Sequence, residues 1–186
     1  MPNPLPRARP FAPARRPAPE LKRLPLAPAV SADGAIEGYA SLFGVVDLGR
    51  DRVERGAFAA SLARRGARGV RFLFQHDPAE PIGAWTSFSE DVRGLRVSGR
   101  LNLAVARARE VHALLRQGAL DGLSIGFRAV RSVREAGGVR RLIEIDLWEV
   151  SVVTFPMLPD ARVSAVKRLI PPAAAARLLA KEAAAR

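Results

Sequence analysis

Cysteine is absent from this sequence of 186 residues, and histidine occurs only twice. The lack of cysteine excludes disulfides, thiolate metal sites and a cysteine nucleophile, and it fits a reducing compartment. Histidine is the side chain that most often acts as a general base near neutral pH. The search for a base therefore has two candidates, His76 and His112.

The sequence also lacks an apolar run of the ~18–20 residues that a membrane-spanning helix requires. Nine of its 15 prolines fall within residues 1–30, where they interrupt any signal-peptide core or amphipathic presequence. We therefore expect a soluble cytoplasmic protein without a membrane partner.

The net charge of +12 would ordinarily indicate nucleic acid or an anionic surface as a partner. Residues 1–30 and 171–186 together contribute +7 of this charge, whereas residues 31–170 contribute only +5. The arginines of the central part are not interleaved with aromatic residues, as they are on many surfaces that bind single-stranded nucleic acid. The pattern favours solvated faces, and we expect no specific nucleic-acid partner.

Composition divides the chain into three parts. Residues 1–30 are rich in proline and arginine, and we expect a disordered or extended arm there. Residues 31–170 have the length and apolar content of one domain. Residues 171–186 are rich in alanine and predict a short, marginal helix.

Apolar and polar residues alternate through much of the central part, as is typical of strands. The main predicted strands span residues 36–46, 70–74, 95–103, 123–127 and 142–155. The main predicted helices span residues 56–62 and 104–117. With shorter segments included, we count six or seven strands and two or three helices, without regular βαβ alternation. The favoured fold is mainly β with packed helices (α+β), built on a barrel-like sheet.

Ser124 is a candidate nucleophile between two small neighbours, Gly122 and Gly126. Such neighbours would let a substrate backbone come close and would aim N–H groups at an oxyanion. The segment is not the nucleophile elbow of α/β-hydrolases, because the strand pattern continues past the serine and no helix follows. The alternative is an ordinary serine on the outer face of a strand.

His76 follows the predicted strand 70–74, at a strand end where active-site groups often lie. The alternative is a turn histidine that bonds to the backbone. Asp77 precedes a proline and is expected to act in a turn or as a cap. His112 lies within the predicted helix 104–117, where a structural role is expected.

Glu149 is the third candidate. Unbroken alternation would place it on the inner face beside Ile145 and Leu147. A buried carboxylate is costly without a partner, and an imidazole N–H would be a suitable one. Two alternatives stay open: an arginine pairs with Glu149, or a β-bulge reverses the alternation and turns Asp146 inward. A serine, a histidine and an acid that orients the histidine form the machinery of many serine hydrolases.

Several segments, in the right order, resemble the prohead serine proteases of tailed bacteriophages. They are residues 38–44, 74–77, 81–83, 94–95 with the strand that follows, 122–127 and 147–156. The resemblance covers roughly residues 33–167. Where Ala-Asn-Pro is expected after Phe155-Pro156, this chain has Met157-Leu158-Pro159, a conservative departure outside the candidate site.

The resemblance implies a β-barrel similar to the capsid-maturation proteases of herpesviruses. It implies a serine endopeptidase that cleaves scaffold or the scaffolding segment of the major capsid protein, and also itself, inside the procapsid in the bacterial host cytoplasm. It assigns Ser124 as the nucleophile, His76 as the general base and Glu149 to the third position, with no metal or organic cofactor. The capsid protein or scaffold is the implied partner, and a homodimer is compatible with the resemblance.

Two other functions stay open at this point. A non-catalytic scaffold or interaction protein of the capsid would keep the same fold, but it leaves an inward Glu149 unexplained. A basic nucleic-acid-binding module would explain the charge, but that charge lies largely in the two ends of the chain.

Overall fold

The computed structural model describes residues 31–164. The predicted arm and tail lie outside these residues, so the three-part division of the chain stays a prediction. The strands are β1 (Ala35–Leu42), β2 (Asp51–Val53), β3 (Arg71–Phe74), β4 (Asp77–Glu90), β5 (Gly94–Leu101), β6 (Gly122–Arg134), β7 (Arg140–Val153) and β8 (Val163–Ser164). The helices are α1 (Ala59–Arg65) and α2 (Ala106–Arg116), with single 3-10 turns at Ala67–Gly69 and Ala136–Gly138.

All eight strands belong to one sheet, in the order β2-β7-β3-β4-β5-β1-β8, with β6 paired to β7. Strand β6 runs antiparallel to β7, whereas β2 and β3 run parallel to it. The predicted mainly-β fold is confirmed. Six strands have four or more residues, and β2 and β8 have three and two.

The sheet returns on itself through residues 161–163. The Leu123 N–H donates to the Ala161 carbonyl, and the Tyr39 N–H donates to the Arg162 carbonyl. This segment therefore joins β6 to β1 and gives the sheet the barrel-like closure that the sequence predicts. Gly38 is required at this seam, because a Cβ there would lie 2.4 Å from the Arg162 carbonyl oxygen.

Strand β4 was not predicted, because two prolines and a glycine interrupt its sequence pattern. Its irregular pairing with β3 explains how it tolerates Pro78. Leu73 pairs with Pro81 and Phe74 pairs with Asp77, so residues 78–80 have no partners on β3. The irregularity leaves Pro78 outside the ladder, where its missing N–H is harmless.

Large apolar side chains fill the interior of the barrel. Trp85 and Phe72 stack with ring centroids 4.0 Å apart, and the Trp85 indole N–H donates to the Val150 carbonyl. Helix α2 packs inward through Ala108, Val111 and Leu115, at the helical spacing that the sequence shows. Within residues 31–164, no helix is long and apolar enough to cross a membrane.

Candidate active site

The pairing of β6 with β7 decides which face of the sheet carries each candidate residue. Ser124 lies opposite Ser151, and Gly126 lies opposite Glu149. The next pair joins Phe127 to Leu147, so Trp148 has no partner and forms a β-bulge. About half of the Trp148 side chain is exposed to solvent.

The bulge corrects the predicted orientation of Glu149. Unbroken alternation would place Glu149 on the face of Ile145 and Leu147, which are core residues. Because the alternation is broken at Trp148, Glu149 instead lies on the opposite face, with Ser124. Glu149 is nevertheless buried, with only 11% of its side chain exposed.

Asp146, the alternative acid, has arginine partners. It accepts hydrogen bonds from Arg64 at 2.6 Å and from Arg65 at 2.9 Å, both at the end of α1, and from the Trp148 indole at 2.8 Å. These bonds, first of all that from Arg65, lower the pKa of the Asp146 carboxyl. The arginine ion pair considered for Glu149 is therefore found at Asp146, where it fixes α1 to β7.

His76 lies in the tight turn between β3 and β4. Phe74 pairs with Asp77, so Gln75 and His76 are the two central residues of the turn, with φ angles of 54° and 61°. Two-residue hairpins of this kind favour Asn and Gly, and a non-glycine residue at positive φ costs about 1–3 kcal/mol. Such strain is typical of functional sites. The Asp77 carboxylate accepts the Ala79 N–H, which is the local turn role predicted for it.

The structure brings His76 and Glu149 together across the parallel strands β3 and β7. Nδ1 of His76 lies 2.6 Å from Oε1 of Glu149. The hydrogen bond to Glu149 raises the pKa of His76 above its ordinary value, and partial burial of the ring opposes the rise. A carboxylate can only accept, so Nδ1 carries the proton and Nε2 of the neutral ring is left free to act as a base.

Gly126 makes room for the Glu149 carboxylate. A Cβ at position 126 would lie 2.0 Å from Oε1 of Glu149. The space that was expected to admit a substrate backbone is therefore occupied by the acid itself. The space beside Gly122 is also occupied, because a Cβ there would lie 2.6 Å from the Val153 carbonyl oxygen.

We expect Gly126→Ala to displace the Glu149 carboxylate and to lower any His76-dependent activity by about 100-fold, the loss typical of a 1 Å misplacement. The new methyl group would meet the end of the Glu149 side chain and no backbone atom, so the fold should persist. In Gly122→Ala the methyl group would meet backbone, and unfolding at a lower temperature is expected. The measurements are peptide cleavage and thermal melting of both variants. Full activity in Gly126→Ala would contradict the prediction.

Ser124 occupies the same face, with 6% of its surface exposed. Its cross-strand partner is Ser151, whose hydroxyl accepts the backbone N–H of His76 at 3.2 Å, so Ser124 and His76 both lie beside Ser151. Within residues 31–164, no hydrogen bond joins the Ser124 hydroxyl to the His76 ring; in enzymes without substrate such contacts are often long. Ser124 also lines a cavity of about 120 Å³ with Val45 and Met157.

The second histidine lies elsewhere. His112 belongs to α2, where Nε2 lies 2.9 Å from the Ser31 carbonyl oxygen. This contact agrees with the structural role that the sequence predicts. Among the residues described, no three His, Asp or Glu side chains lie close enough together to hold a metal ion.

Ser151 is the site residue that sequence reasoning missed. Its side chain is fully buried, and its hydroxyl donates to Oε2 of Glu149 at 2.6 Å. A signal was present in the sequence, because Ser151 follows Glu149 by two residues on a predicted strand and so shares its face.

A family model and several proteins of tailed phages match this chain. The family model described as caudovirus prohead serine protease matches residues 25–174. The prohead protease of Enterobacteria phage HK97 is 36% identical over 138 residues, which cover 72% of this chain and 60% of that protein. The prohead protease of Escherichia phage T5 is 31% identical over 98 residues, which cover 52% of this chain and 46% of that protein. The matched region thus spans about half of each of these two relatives.

The capsid assembly protease of bacteriophage T4 has a similar fold, with a TM-score of 0.57 at 15% identity over 66% of this chain and 84% of that chain. The protease of varicella-zoster virus gives a TM-score of 0.47 at 14% identity over 78% of this chain and 74% of that chain. The family match extends over well more than half of the sequence, including Ser124, His76 and Glu149. The chain therefore belongs to the caudovirus prohead serine protease family.

Proposed function

We propose that this chain is a serine endopeptidase of capsid maturation, with Ser124 as nucleophile, His76 as general base and Glu149 as the acid that orients the base. The observation that carries the proposal is the 2.6 Å contact between Nδ1 of His76 and Oε1 of Glu149, on the face that also holds Ser124. A histidine oriented by a carboxylate, on the same face as a serine, is the arrangement that activates a hydroxyl.

The mechanism follows from the tautomer of His76. Nε2 removes the proton of the Ser124 hydroxyl as Oγ attacks the carbonyl carbon of a peptide bond. The imidazolium then returns this proton to the leaving amine, so that an acyl-enzyme remains. Nε2 then deprotonates water, whose oxygen attacks the ester carbonyl carbon, and the imidazolium returns this proton to Oγ of Ser124 as the ester bond breaks and the acid product leaves. Glu149 stabilises the imidazolium in both halves without taking its proton.

Capsid proteins are the proposed substrates. The HK97 and T5 relatives bear the name prohead protease, and a capsid polyprotein of Pseudomonas phage PAJU2 is 31% identical over 107 residues, which cover 54% of this chain and 16% of that protein. We infer that this chain acts inside the procapsid in the bacterial host, on scaffold or on the scaffolding segment of the major capsid protein, and that it also cleaves itself.

Co-expression with the major capsid protein from the same gene neighbourhood tests the proposal. Intact mass spectrometry is expected to show a shortened capsid protein and a shortened protease with the wild type, and full-length chains with Ser124→Ala. Ser132→Ala, an exposed serine on the same strand β6, is the matched control and should process like the wild type. Identical masses for wild type and Ser124→Ala would favour a non-catalytic capsid scaffold with the same fold.

A further inference from the structure

The hydroxyl of Ser151 contacts two parts of the proposed machinery at once. It donates to Oε2 of Glu149 at 2.6 Å and accepts the backbone N–H of His76 at 3.2 Å. The acid uses its other oxygen, Oε1, for the imidazole. One buried serine therefore joins the carboxylate to the turn that carries the histidine.

Each of these bonds restrains a group that is otherwise free to move. A carboxylate held through one oxygen rotates about its last side-chain torsions, whereas one held through both oxygens has a single orientation. The turn at Gln75 and His76 holds two non-glycine residues at positive φ, so it needs contacts from outside to keep its shape. Ser151 supplies one such contact at His76, and Thr154 supplies another by bonding to the Gln75 side chain at 2.6 Å.

We propose that Ser151 is a positioning residue for the proposed triad. Its hydroxyl sets the distance between the Glu149 carboxylate and the His76 imidazole, and thereby the basicity of the imidazole, without touching the substrate. The inference rests on the proposed function of Ser124, His76 and Glu149. It adds a fourth member to that site, on the strand between the nucleophile and the base.

The chain offers a matched control in Ser61, its other fully buried serine that bonds to β7. The Ser61 hydroxyl accepts the Leu147 N–H at 2.9 Å and donates to the Asp146 carboxylate at 3.4 Å. Both serines thus accept a backbone N–H and contact a buried carboxylate of the same strand. Only Ser151 contacts the partner of His76, so a general loss of packing should affect both variants and a positioning effect only one.

Histidine titration by NMR measures this effect without any substrate. Because the chain has only two histidines, labelled imidazole gives two signals, and His112→Gln assigns them. In Ser151→Ala the Glu149 carboxylate is released from its second anchor, so the titration midpoint of His76 should fall toward the ordinary histidine value. The midpoint of His112 should stay unchanged, and Ser61→Ala should leave both midpoints at their wild-type values.

Peptide cleavage provides the second measurement. Removal of a hydrogen-bond partner that orients a functional group typically lowers activity by about 10–100-fold. In Ser151→Ala the loss should appear in kcat, with KM unchanged. If Ser151→Ala fails to fold, Ser151→Cys retains a weak donor of similar size and should give an intermediate midpoint for His76. A wild-type midpoint for His76 in Ser151→Ala, or equal shifts in Ser151→Ala and Ser61→Ala, would overturn the inference. Absence of cleavage by the wild type would refute the proposed function instead and leave the titration result standing.

Discussion

Ser124→Ala is expected to lower kcat for cleavage of a peptide substrate by about 10⁶-fold, the loss seen when a serine nucleophile is removed from a triad. The physical reason is that, among residues 31–164, no other hydroxyl on this face is placed to replace it. Ser151, its cross-strand neighbour, is fully buried and already donates to Glu149. KM should stay near its wild-type value, since a methyl group in place of the hydroxyl leaves the substrate-binding surface intact.

The fold should not change in this variant, which makes the loss attributable to chemistry. Within residues 31–164 the Ser124 hydroxyl makes no hydrogen bond, so its removal leaves no buried partner unsatisfied there. We expect a melting temperature within a few degrees of the wild type. Adding His76→Ala to Ser124→Ala should cost little more than either change alone, because the two groups act as one unit. A double variant with losses that multiply would contradict a shared role for the two residues.

Local sequence patterns predicted most of the fold, because amphipathic alternation and helical spacing can be recognised within a few consecutive residues. The strand at Arg71–Phe74 and the helix at Ala106–Arg116 lie within one or two residues of their predicted ends. Strand β4 escaped prediction because Pro78 is tolerated within it only through the irregular pairing with β3. That irregularity depends on two strands at once, and no pattern within one segment shows it.

The candidate site depends on contacts between distant parts of the chain. His76 and Glu149 are 73 residues apart, and the parallel pairing of β3 with β7 brings them together. Periodicity pointed to Glu149 as an inward acid with a suitable partner in an imidazole, and the family resemblance assigned His76 and Glu149 their roles. Periodicity placed Glu149 on the wrong face, because the bulge at Trp148 arises from the register with β6. The structure agrees with the expectation that Glu149 is a buried acid with an imidazole partner. It does not agree with the reason given for that expectation, because Glu149 does not lie on the face of Ile145 and Leu147.

Glu149→Gln is expected to lower kcat by about 10⁴-fold, as the loss of the orienting acid does in serine hydrolases. The amide keeps the shape of the side chain but carries no charge, so the imidazolium formed during catalysis loses its stabilising partner. The amide nitrogen can also face Nδ1, in which case the imidazole takes the wrong tautomer and Nε2 carries a proton. The expected loss is smaller than for Ser124→Ala, because the nucleophile and the base are still present.

The same substitution has a second, signed effect on pH dependence. In the wild type the hydrogen bond to Glu149 raises the pKa of His76, so the base stays protonated, and therefore inactive, to a higher pH than an ordinary histidine does. Without the carboxylate, partial burial of the ring is the remaining influence, and it lowers the pKa. The acidic limb of kcat/KM should therefore move to lower pH in Glu149→Gln.

The stability of the fold depends on pH through the same pair. The contact between His76 and Glu149 stabilises the fold below the pKa of the unfolded histidine, and this contribution is lost as the pH rises through the pKa of His76 in the folded state.

Asp146→Asn is the control that separates this effect from the loss of a buried carboxylate. Asp146 is 4% exposed and lies on the same strand, but its partners are Arg64, Arg65 and the Trp148 indole. We expect Asp146→Asn to lower the melting temperature and to leave the acidic limb of kcat/KM in place. Glu149→Gln should move that limb and lower the melting temperature more at pH 5 than at pH 8. If both substitutions moved the acidic limb of kcat/KM equally, the pKa of His76 would depend on the total negative charge near β7 and not on contact with Glu149. Glu149 would then lose its assignment as the orienting acid.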